Sequence, residues 1–331
     1  MKISFFEIQD WEKANLINNF PEGVFTEDEL AEENADLFKD SEIISSFINS
    51  TLNEKTLEKL PNLKFISIRA TGFDNVDQTH CRTHRIKISN VPEYGSRTVA
   101  EYTFGLILNL TRKIYQSINQ SKILDFNHNN LRGVDLFGKT IGIVGLGKIG
   151  VNVGEIARGF GMKILGYNRS KDTNLEKKLE LRYTELDELI QNSDIVTLHL
   201  PLNQETKHII NKTNITQFKK GSFLINTARG GLIDTEALII GLEQGILEGV
   251  ALDVLEEERE LAEEAEILTR GFKKEVDYET LIGNHILLNH PKVLITPHNA
   301  FNSKEALERI LDTTVENIKA FINQKPINVV Q

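Results

Sequence analysis

The sequence has a single cysteine, Cys81, so no disulfide can form within the chain. It also has no excess of positive charge. Its formal net charge is −10, which argues against nucleic acid as a direct partner. No apolar run is long enough to span a membrane, and the N-terminal residues lack the profile of a signal peptide. We therefore expect a cytoplasmic protein that binds neither nucleic acid nor membrane.

One pair of histidines has the spacing of metal ligands. His80 and His84 are four residues apart and could share one helix face, but no clear third ligand accompanies them. We expect no metal site.

Short apolar runs alternate with amphipathic stretches along most of the 331 residues. This alternation predicts parallel sheets with helices on both faces, and the length is sufficient for two domains. Two long helices are predicted, one over 98–124 and one over 305–322, from the spacing of their apolar residues.

The stretch Thr140-Ile-Gly-Ile-Val-Gly-Leu-Gly-Lys-Ile-Gly150 is an apolar run that breaks into the pattern G-x-G-x-x-G. Gly145 permits a tight turn, Gly147 leaves room for a phosphate, and Gly150 lets helix and strand pack closely. Helix N–H groups around Lys148 and Ile149 would then face a pyrophosphate. A structural glycine turn is the alternative, but the strand before and the helix after it favour a dinucleotide site.

This glycine turn lies in the middle of the chain, so a first α/β unit must precede the nucleotide-binding unit. No further strand of the nucleotide-binding sheet follows the final helix. We therefore expect this helix to return to the first unit and pack there. The predicted organisation is a discontinuous substrate domain, residues 1–97 and 301–331, and a dinucleotide-binding domain, residues 98–300.

Three further polar residues follow predicted strands, where open α/β sheets place their sites. Arg229 precedes two glycines and offers a planar fork suited to a carboxylate. Glu258 lies five residues after Asp253, within an acidic run. His298 follows Thr-Pro and is a candidate acid–base group. Taken singly, each has a plain alternative: a surface arginine, a solvated acidic run and a structural histidine.

Taken in order along the chain, these segments are specific. The set resembles the D-isomer-specific 2-hydroxyacid dehydrogenase family, and within it the D-lactate dehydrogenases and their relatives. The segments are Ala70-Thr-Gly-Phe-Asp-Asn-Val-Asp77, Asn90-Val-Pro-Glu-Tyr-Gly-Ser-Arg-Thr-Val-Ala-Glu101, Gly145-x-Gly147-x-x-Gly150, Asn226-Thr-Ala-Arg-Gly230, Ala251-Leu-Asp-Val-x-x-x-Glu258 and Thr296-Pro-His-Asn-Ala300.

The resemblance implies a flavodoxin-like substrate domain and a Rossmann nucleotide domain with an active-site cleft between them. It implies that Arg229 binds the substrate carboxylate and polarises its carbonyl. His298 would donate a proton to the carbonyl oxygen, and Glu258 would hydrogen-bond His298 and favour its protonated form. The remaining substrate contacts would be Thr71, Gly72, Tyr94 and Phe301.

The resemblance also implies a set of cofactor contacts along the second domain, with Asp253 on the nicotinamide carboxamide side. These are Thr103, Gly145, Gly147, Lys148, Ile149, Gly150, Asn168, Arg169, Ser170, His199, Leu200, Pro201, Thr206, Thr227, Ala228, Asp253, His298 and Ala300.

The sequence departs from the usual pattern at the ribose end of this site. An acid commonly ends the second nucleotide strand and binds the ribose hydroxyls. Here the position is Asn168, followed by Arg169 and Ser170, which could bind a 2′-phosphate. We hypothesise that NADP(H) is accepted and slightly favoured. The alternative is that Asn168 binds a ribose hydroxyl and NAD(H) serves normally.

The expected function is hydride transfer between a nicotinamide cofactor and a small D-2-hydroxy or 2-keto acid, of the D-lactate/pyruvate type. Glyoxylate, hydroxypyruvate or branched ketoacid reduction remains open, and so does a non-enzymatic role like that of nicotinamide-sensing corepressors. The helix over 98–124 has more apolar residues than one buried face needs, and the matching region forms a dimer in the family. We therefore expect a homodimer.

Overall fold

The structure is a computed structural model that describes residues 1–258 and 277–330. Within these ranges the β-strands are β1 Ile3–Phe5, β2 Val24–Phe25, β3 Ile43–Ser46, β4 Phe65–Ile68, β5 Lys87–Ser89, β6 Thr140–Val144, β7 Lys163–Tyr167, β8 Leu181–Tyr183, β9 Ile195–Leu198, β10 Ser222–Asn226, β11 Leu247–Leu252 and β12 Val293–Ile295. The α-helices are α1 Asp10–Asn19, α2 Glu54–Glu58, α3 Gln78–Thr83, α4 Ser96–Arg112, α5 Ile114–Lys122, α6 Lys148–Gly159, α7 Thr173–Leu179, α8 Leu186–Asn192, α9 Thr235–Glu243, α10 Tyr278–Leu288 and α11 Lys304–Ile322.

The chain divides into two compact units. The first comprises Met1–Tyr94 together with Asn302–Gln331, and the second comprises Gly95–Phe301. The first unit is therefore built from both ends of the chain.

The first unit contains a five-stranded sheet with the order β2-β1-β3-β4-β5. All four strand pairings are parallel, and the order is that of flavodoxin-like folds. The final helix α11 begins at the cap Ser303, whose Oγ accepts a hydrogen bond from the backbone N–H of Ala306. Its apolar face, including Leu311, Val315 and Ile318, packs in one core cluster with strands β1, β3 and β4.

The second unit contains a seven-stranded parallel sheet with the order β12-β11-β10-β9-β6-β7-β8. The order reverses between β6 and β9, as in Rossmann folds. Strand β10 is buried along its whole length, because helices cover both faces of a parallel sheet. Two separate apolar clusters reflect these two covered faces. The prediction of two doubly wound parallel α/β units is confirmed.

The prediction of one helix over 98–124 is wrong. The helix ends at Arg112, and Lys113 adopts a left-handed backbone conformation, with φ 51°, before α5 begins. The carbonyl of Thr111 accepts a hydrogen bond from the backbone N–H of Val134. A Cβ added at Gly133 would lie 2.2 Å from that same carbonyl oxygen. Close approach of a distant segment therefore accompanies the break, and apolar spacing within the helix does not report such an approach.

Among the helices of the described ranges, none combines the length and the hydropathy that crossing a bilayer requires.

Candidate active site

The glycine turn joins β6 to α6, and each of its three glycines has a separate structural reason. Gly145 has a φ of 100°, and a Cβ there would lie 2.6 Å from the carbonyl oxygen of His199. A Cβ at Gly150 would lie 2.0 Å from the carbonyl oxygen of Gly145. A Cβ at Gly147 would meet no atom within 4 Å. Gly145 and Gly150 are thus required by packing, whereas the space in front of Gly147 is open.

Helix α6 begins immediately after Gly147, which has no side chain to cap it. The N-terminus of a helix attracts anions, because its N–H groups and its dipole point toward them. The open space at Gly147 and this helix N-terminus together fit a pyrophosphate.

The side chain of Asn168 is engaged within the protein. Its Oδ1 accepts a hydrogen bond of 3.2 Å from the backbone N–H of Leu146, and its Nδ2 donates one of 2.8 Å to the carbonyl oxygen of Ser170. Asn168 therefore ties the end of β7 to the glycine turn. The neighbouring Arg169 side chain is 89% exposed, and its Nη1 lies 3.5 Å from Glu205 Oε2.

The segment from His199 to Thr206 follows β9 and lies beside the glycine turn. The hydroxyl of Thr206 donates a hydrogen bond to the carbonyl oxygen of Pro201, which closes this loop around Leu200 and Pro201. His199 Nε2 lies 2.9 Å from Thr197 Oγ1. Although His199 as a whole is partly exposed, burial of its ring lowers its pKa to about 3. The imidazole is therefore neutral at physiological pH.

Two of the predicted cofactor residues contact each other. The hydroxyls of Thr103 on α4 and Thr227 after β10 are both buried and lie 3.0 Å apart. The Thr103 hydroxyl also donates to the carbonyl oxygen of Val99. These contacts join α4 to the turn that carries Ala228 and Arg229.

Arg229 follows β10. Its turn is shaped by Asn226, a residue to which the sequence assigned no role. The buried Asn226 donates from Nδ2 to the carbonyl oxygen of Arg229 and accepts at Oδ1 from the backbone N–H of Ala228. Arg229 Nη1 donates a hydrogen bond of 2.7 Å to the Ala228 carbonyl oxygen. Asn226 begins the segment Asn226-Thr-Ala-Arg-Gly230, but only its contacts show that it folds the arginine turn.

Asp253 follows β11 and is 1% exposed. Its carboxylate accepts hydrogen bonds from the backbone N–H groups of Asn299 and Ala300 and from the hydroxyl of Thr296. Its carbonyl oxygen accepts from the N–H of His298. Burial raises the pKa of the Asp253 carboxyl, against the lowering effect of these hydrogen bonds and of His298. Both carboxylate oxygens thus hold the turn that presents His298.

His298 follows β12 with a φ of 48°, a left-handed conformation that this turn maintains. Its Nδ1 lies 3.5 Å from Glu258 Oε1, which is an ion pair when the imidazole is protonated. The ring of Phe301 lies edge-on to it, with a centroid distance of 6.4 Å. Because Nδ1 faces Glu258, Nε2 is the ring nitrogen left to exchange a proton with a substrate.

Two of the predicted substrate residues of the first unit, Thr71 and Gly72, lie on a braced loop after β4. The Thr71 hydroxyl donates to the carbonyl oxygen of Val91, and Asn90 Nδ2 donates to the carbonyl oxygen of Thr71. Gly72 follows on this loop. Tyr94 is partly buried, and its carbonyl oxygen accepts from Arg309 Nε on α11.

Arg229, Asp253 and His298 follow β10, β11 and β12, and the glycine turn follows β6. These strands are parallel members of one sheet, so the four segments share its carboxyl edge. Residues 104–300 match the family described as "D-isomer specific 2-hydroxyacid dehydrogenase, NAD binding domain". The chain belongs to the D-isomer-specific 2-hydroxyacid dehydrogenase family. Family membership makes it an oxidoreductase with an NAD-binding domain, as the sequence motifs predicted.

Relatives extend the similarity to almost the whole chain. The 2-hydroxyacid dehydrogenase homolog 1 of Schizosaccharomyces pombe is 37% identical, over 98% of this chain and 97% of its own. An aromatic 2-oxoacid reductase of Clostridium sporogenes is 37% identical, over 87% of this chain and 85% of its own. The D-lactate dehydrogenase of Aquifex aeolicus, solved with NAD and lactic acid, is 33% identical with a TM-score of 0.88, covering 98% of this chain and 96% of that one.

Across the described ranges, no three His, Cys, Asp or Glu side chains are grouped as metal ligands. His80 and His84 stack on each other with a ring-centroid distance of 4.0 Å.

Proposed function

We propose that this protein transfers hydride between a nicotinamide cofactor and a small D-2-hydroxy acid or 2-keto acid, of the D-lactate/pyruvate type. The observation that carries the proposal is the His298–Glu258 pair, at 3.5 Å. It lies at the sheet edge that also carries Arg229 and the glycine turn.

In the direction of reduction, a 2-keto acid, a reduced nicotinamide and one proton yield a D-2-hydroxy acid and the oxidised nicotinamide. The cofactor, when bound, supplies the hydride to the carbonyl carbon. Arg229 binds the substrate carboxylate through its guanidinium fork and polarises the carbonyl group. His298 Nε2 donates the proton to the carbonyl oxygen, and Glu258 orients the imidazole through Nδ1. Oxidation reverses these steps.

Thr71, Gly72 and Tyr94 of the first unit complete the substrate contacts in this proposal, with Phe301 as an apolar wall. The bracing of the Thr71 loop by Val91 and Asn90 supports a rigid carboxylate-binding loop. Rigid loops hold a substrate in reactive geometry at low entropic cost.

For the cofactor, we propose that NAD(H) and NADP(H) both bind. Asn168 adds no negative charge, and the exposed Arg169 can turn toward a 2′-phosphate. Its pairing with Glu205 is a competing interaction, at 3.5 Å and in solvent.

The test is kcat/KM for NADH and for NADPH with one keto acid, in the wild type, in Arg169→Ala and in Glu205→Gln. Arg169→Ala should lower kcat/KM for NADPH alone, and Glu205→Gln should raise it. A strong NADH preference that Arg169→Ala leaves unchanged contradicts phosphate binding.

The substrate is tested with a panel of pyruvate, glyoxylate, hydroxypyruvate, 2-ketoisocaproate and phenylpyruvate, following cofactor absorbance. We expect pyruvate to give the highest kcat/KM. Aromatic 2-oxoacid reduction is the second candidate, since the Clostridium sporogenes reductase is 37% identical to this chain. Glyoxylate or hydroxypyruvate reduction is a third outcome that the panel separates.

A binding role without turnover, as in nicotinamide-sensing corepressors, is the alternative from another class. Dinucleotide binding with no turnover of any panel member would favour it. If the protein is an enzyme, His298→Ala should abolish reduction while leaving the cofactor Kd nearly unchanged. Retained turnover in that variant contradicts the proton-donor role.

We further propose a homodimer. Helix α4 buries Ala100, Phe104, Leu106 and Ile107 in a core cluster of its own unit, whereas α5 has no buried residue. Large apolar side chains are exposed on α5 and the segment after it: Ile114, Tyr115, Ile118, Ile123, Leu124, Phe126, Val134 and Phe137. Such a patch is typical of an interface. Light scattering at micromolar concentration should give twice the mass of the 37.5 kDa chain, and a monomeric mass refutes this proposal.

A further inference from the structure

Glu256 lies two residues before Glu258 and is engaged at every oxygen. Its Oε1 lies 2.6 Å from His208 Nε2, and its Oε2 accepts a hydrogen bond of 3.2 Å from the hydroxyl of Thr235. Its carbonyl oxygen accepts one of 2.7 Å from Nδ2 of the buried Asn284. The Glu256 side chain is only 13% exposed. A carboxylate held in this way fixes the backbone at its own position.

The same backbone lies against the arginine turn. A Cβ at Gly230 would lie 2.0 Å from the carbonyl carbon and oxygen of Leu255 and 2.3 Å from the backbone nitrogen of Glu256. Gly230 directly follows Arg229. The arginine turn and the segment leading to Glu258 therefore touch through their backbones, with no side chain between them.

His208 joins these two segments from the other side. Its backbone N–H donates a hydrogen bond of 2.9 Å to the carbonyl oxygen of Gly231, while its ring pairs with Glu256. His208 adopts a left-handed conformation, with φ 52°. One histidine thus contacts the turn after Arg229 with its backbone and the segment before Glu258 with its side chain.

We propose that Glu256 and His208 are positioning residues for the reaction and set the spacing between Arg229 and Glu258. The inference rests on the proposed function, because it assigns the pair a role only if Arg229 and Glu258 act on substrate and on His298. Glu256 and His208 are not themselves assigned a contact with substrate. The pair acts by holding both segments, and a misplacement of about 1 Å in such a site costs up to about 100-fold in rate.

The test compares Glu256→Gln, His208→Ala and His208→Gln with the wild-type protein in pyruvate reduction. Glu256→Gln and His208→Ala should lower kcat/KM about 10- to 100-fold, through both a raised KM for pyruvate and a lowered kcat. His208→Gln retains a side-chain donor for Glu256 and should recover most of the activity.

A role in stability alone is separated by the double variant Glu256→Gln/Glu258→Gln. If Glu256 acts through Glu258, the two losses in kcat/KM should combine to much less than their product. Multiplicative losses, or losses that disappear at a temperature well below each variant's Tm, overturn the inference.

Lys219→Gln is the matched control, because it removes an ion pair of similar length, 2.8 Å to Asp194, at the amino end of β9. Its activity should equal that of the wild type. Failure of the proposed function is distinguishable, since it shows as unimpaired turnover in His298→Ala. Failure of this inference shows as unimpaired turnover in Glu256→Gln while His298→Ala is inactive.

Discussion

His298 Nδ1 and Glu258 Oε1 lie 3.5 Å apart, although the two residues follow different strands of the sheet and are forty positions apart. The distance is longer than a usual N–H to O hydrogen bond, so the contact acts mainly through charge. In the proposed function, Glu258 orients the imidazole of His298.

Replacing Glu258 with Gln removes the negative charge and keeps the size and shape of the side chain. We expect kcat/KM for pyruvate reduction to fall about 10²- to 10⁴-fold, as for other general acid–base groups. Steady-state rates of pyruvate reduction at neutral pH measure the loss. Glu248→Gln, which alters an exposed pair with Lys292, is the control. A wild-type kcat/KM in Glu258→Gln contradicts the pairing role.

Arg229→Lys keeps the positive charge but loses the planar fork. We expect the KM for pyruvate to rise at least about tenfold and kcat to fall, since a lysine cannot bind a carboxylate at two points. Equilibrium fluorescence titration should show the NADH Kd unchanged within about twofold. If Arg229→Lys behaves as the wild type in the steady state, a bidentate carboxylate contact is wrong.

The glycines of the turn give a paired prediction. Gly150→Ala should lower the Tm of the cofactor-free protein, because its Cβ would lie 2.0 Å from the Gly145 carbonyl oxygen. Gly147→Ala should leave that Tm unchanged, since a Cβ there meets nothing, yet weaken NADH binding at least about tenfold by occupying the space in front of the helix N-terminus. Differential scanning calorimetry and NADH titration measure the two effects. Full NADH affinity in Gly147→Ala would place the pyrophosphate elsewhere.

The neutral His199, whose ring is buried, should make stability depend on pH. Its folded pKa of about 3 lies below the unfolded value of about 6.5, so the unfolded chain takes up a proton first as the pH falls. The contribution is therefore complete above about pH 6.5 and is lost toward pH 3, by up to about 1.4 kcal/mol per pH unit. Urea unfolding of the cofactor-free protein at pH 7 and pH 5 should show a smaller decrease in His199→Asn than in the wild type. Equal decreases would mean that the ring is already charged or solvated in the folded state.

Much of the second unit was predictable from local pattern. The run Ser222–Asn226 is apolar and continuous because the strand is buried on both faces, and the glycine spacing of residues 145–150 follows from the geometry of one turn. The fold class and the family follow from such segments, because each one depends on neighbours within a few residues. Strands β2 and β8, of two and three residues, were not predicted, because their sequences are too short to show a period.

Contacts between distant segments were not predictable. The helix break at Lys113 accompanies an approach by residues twenty positions later, and the sequence of the helix carries no sign of it. The acidic run contains Glu256, Glu257 and Glu258. Because all three are the same residue type, the sequence does not tell which of them pairs with a histidine. The sheet topology places Glu258 beside His298 and Glu256 beside His208.

The sequence alone therefore determined the α/β class and the glycine turn and named the candidates for the residues that carry chemistry, because these depend on local geometry and on side-chain type. The tertiary structure decided which side chain supports each of the functional turns. Asp253 supports the His298 turn, Asn226 folds the Arg229 turn, and Asn168 is tied to the glycine turn. The physical reason is that each of these is a hydrogen bond across strand-end loops, and its partner is fixed by the order of strands in the sheet or by the fold of the turn.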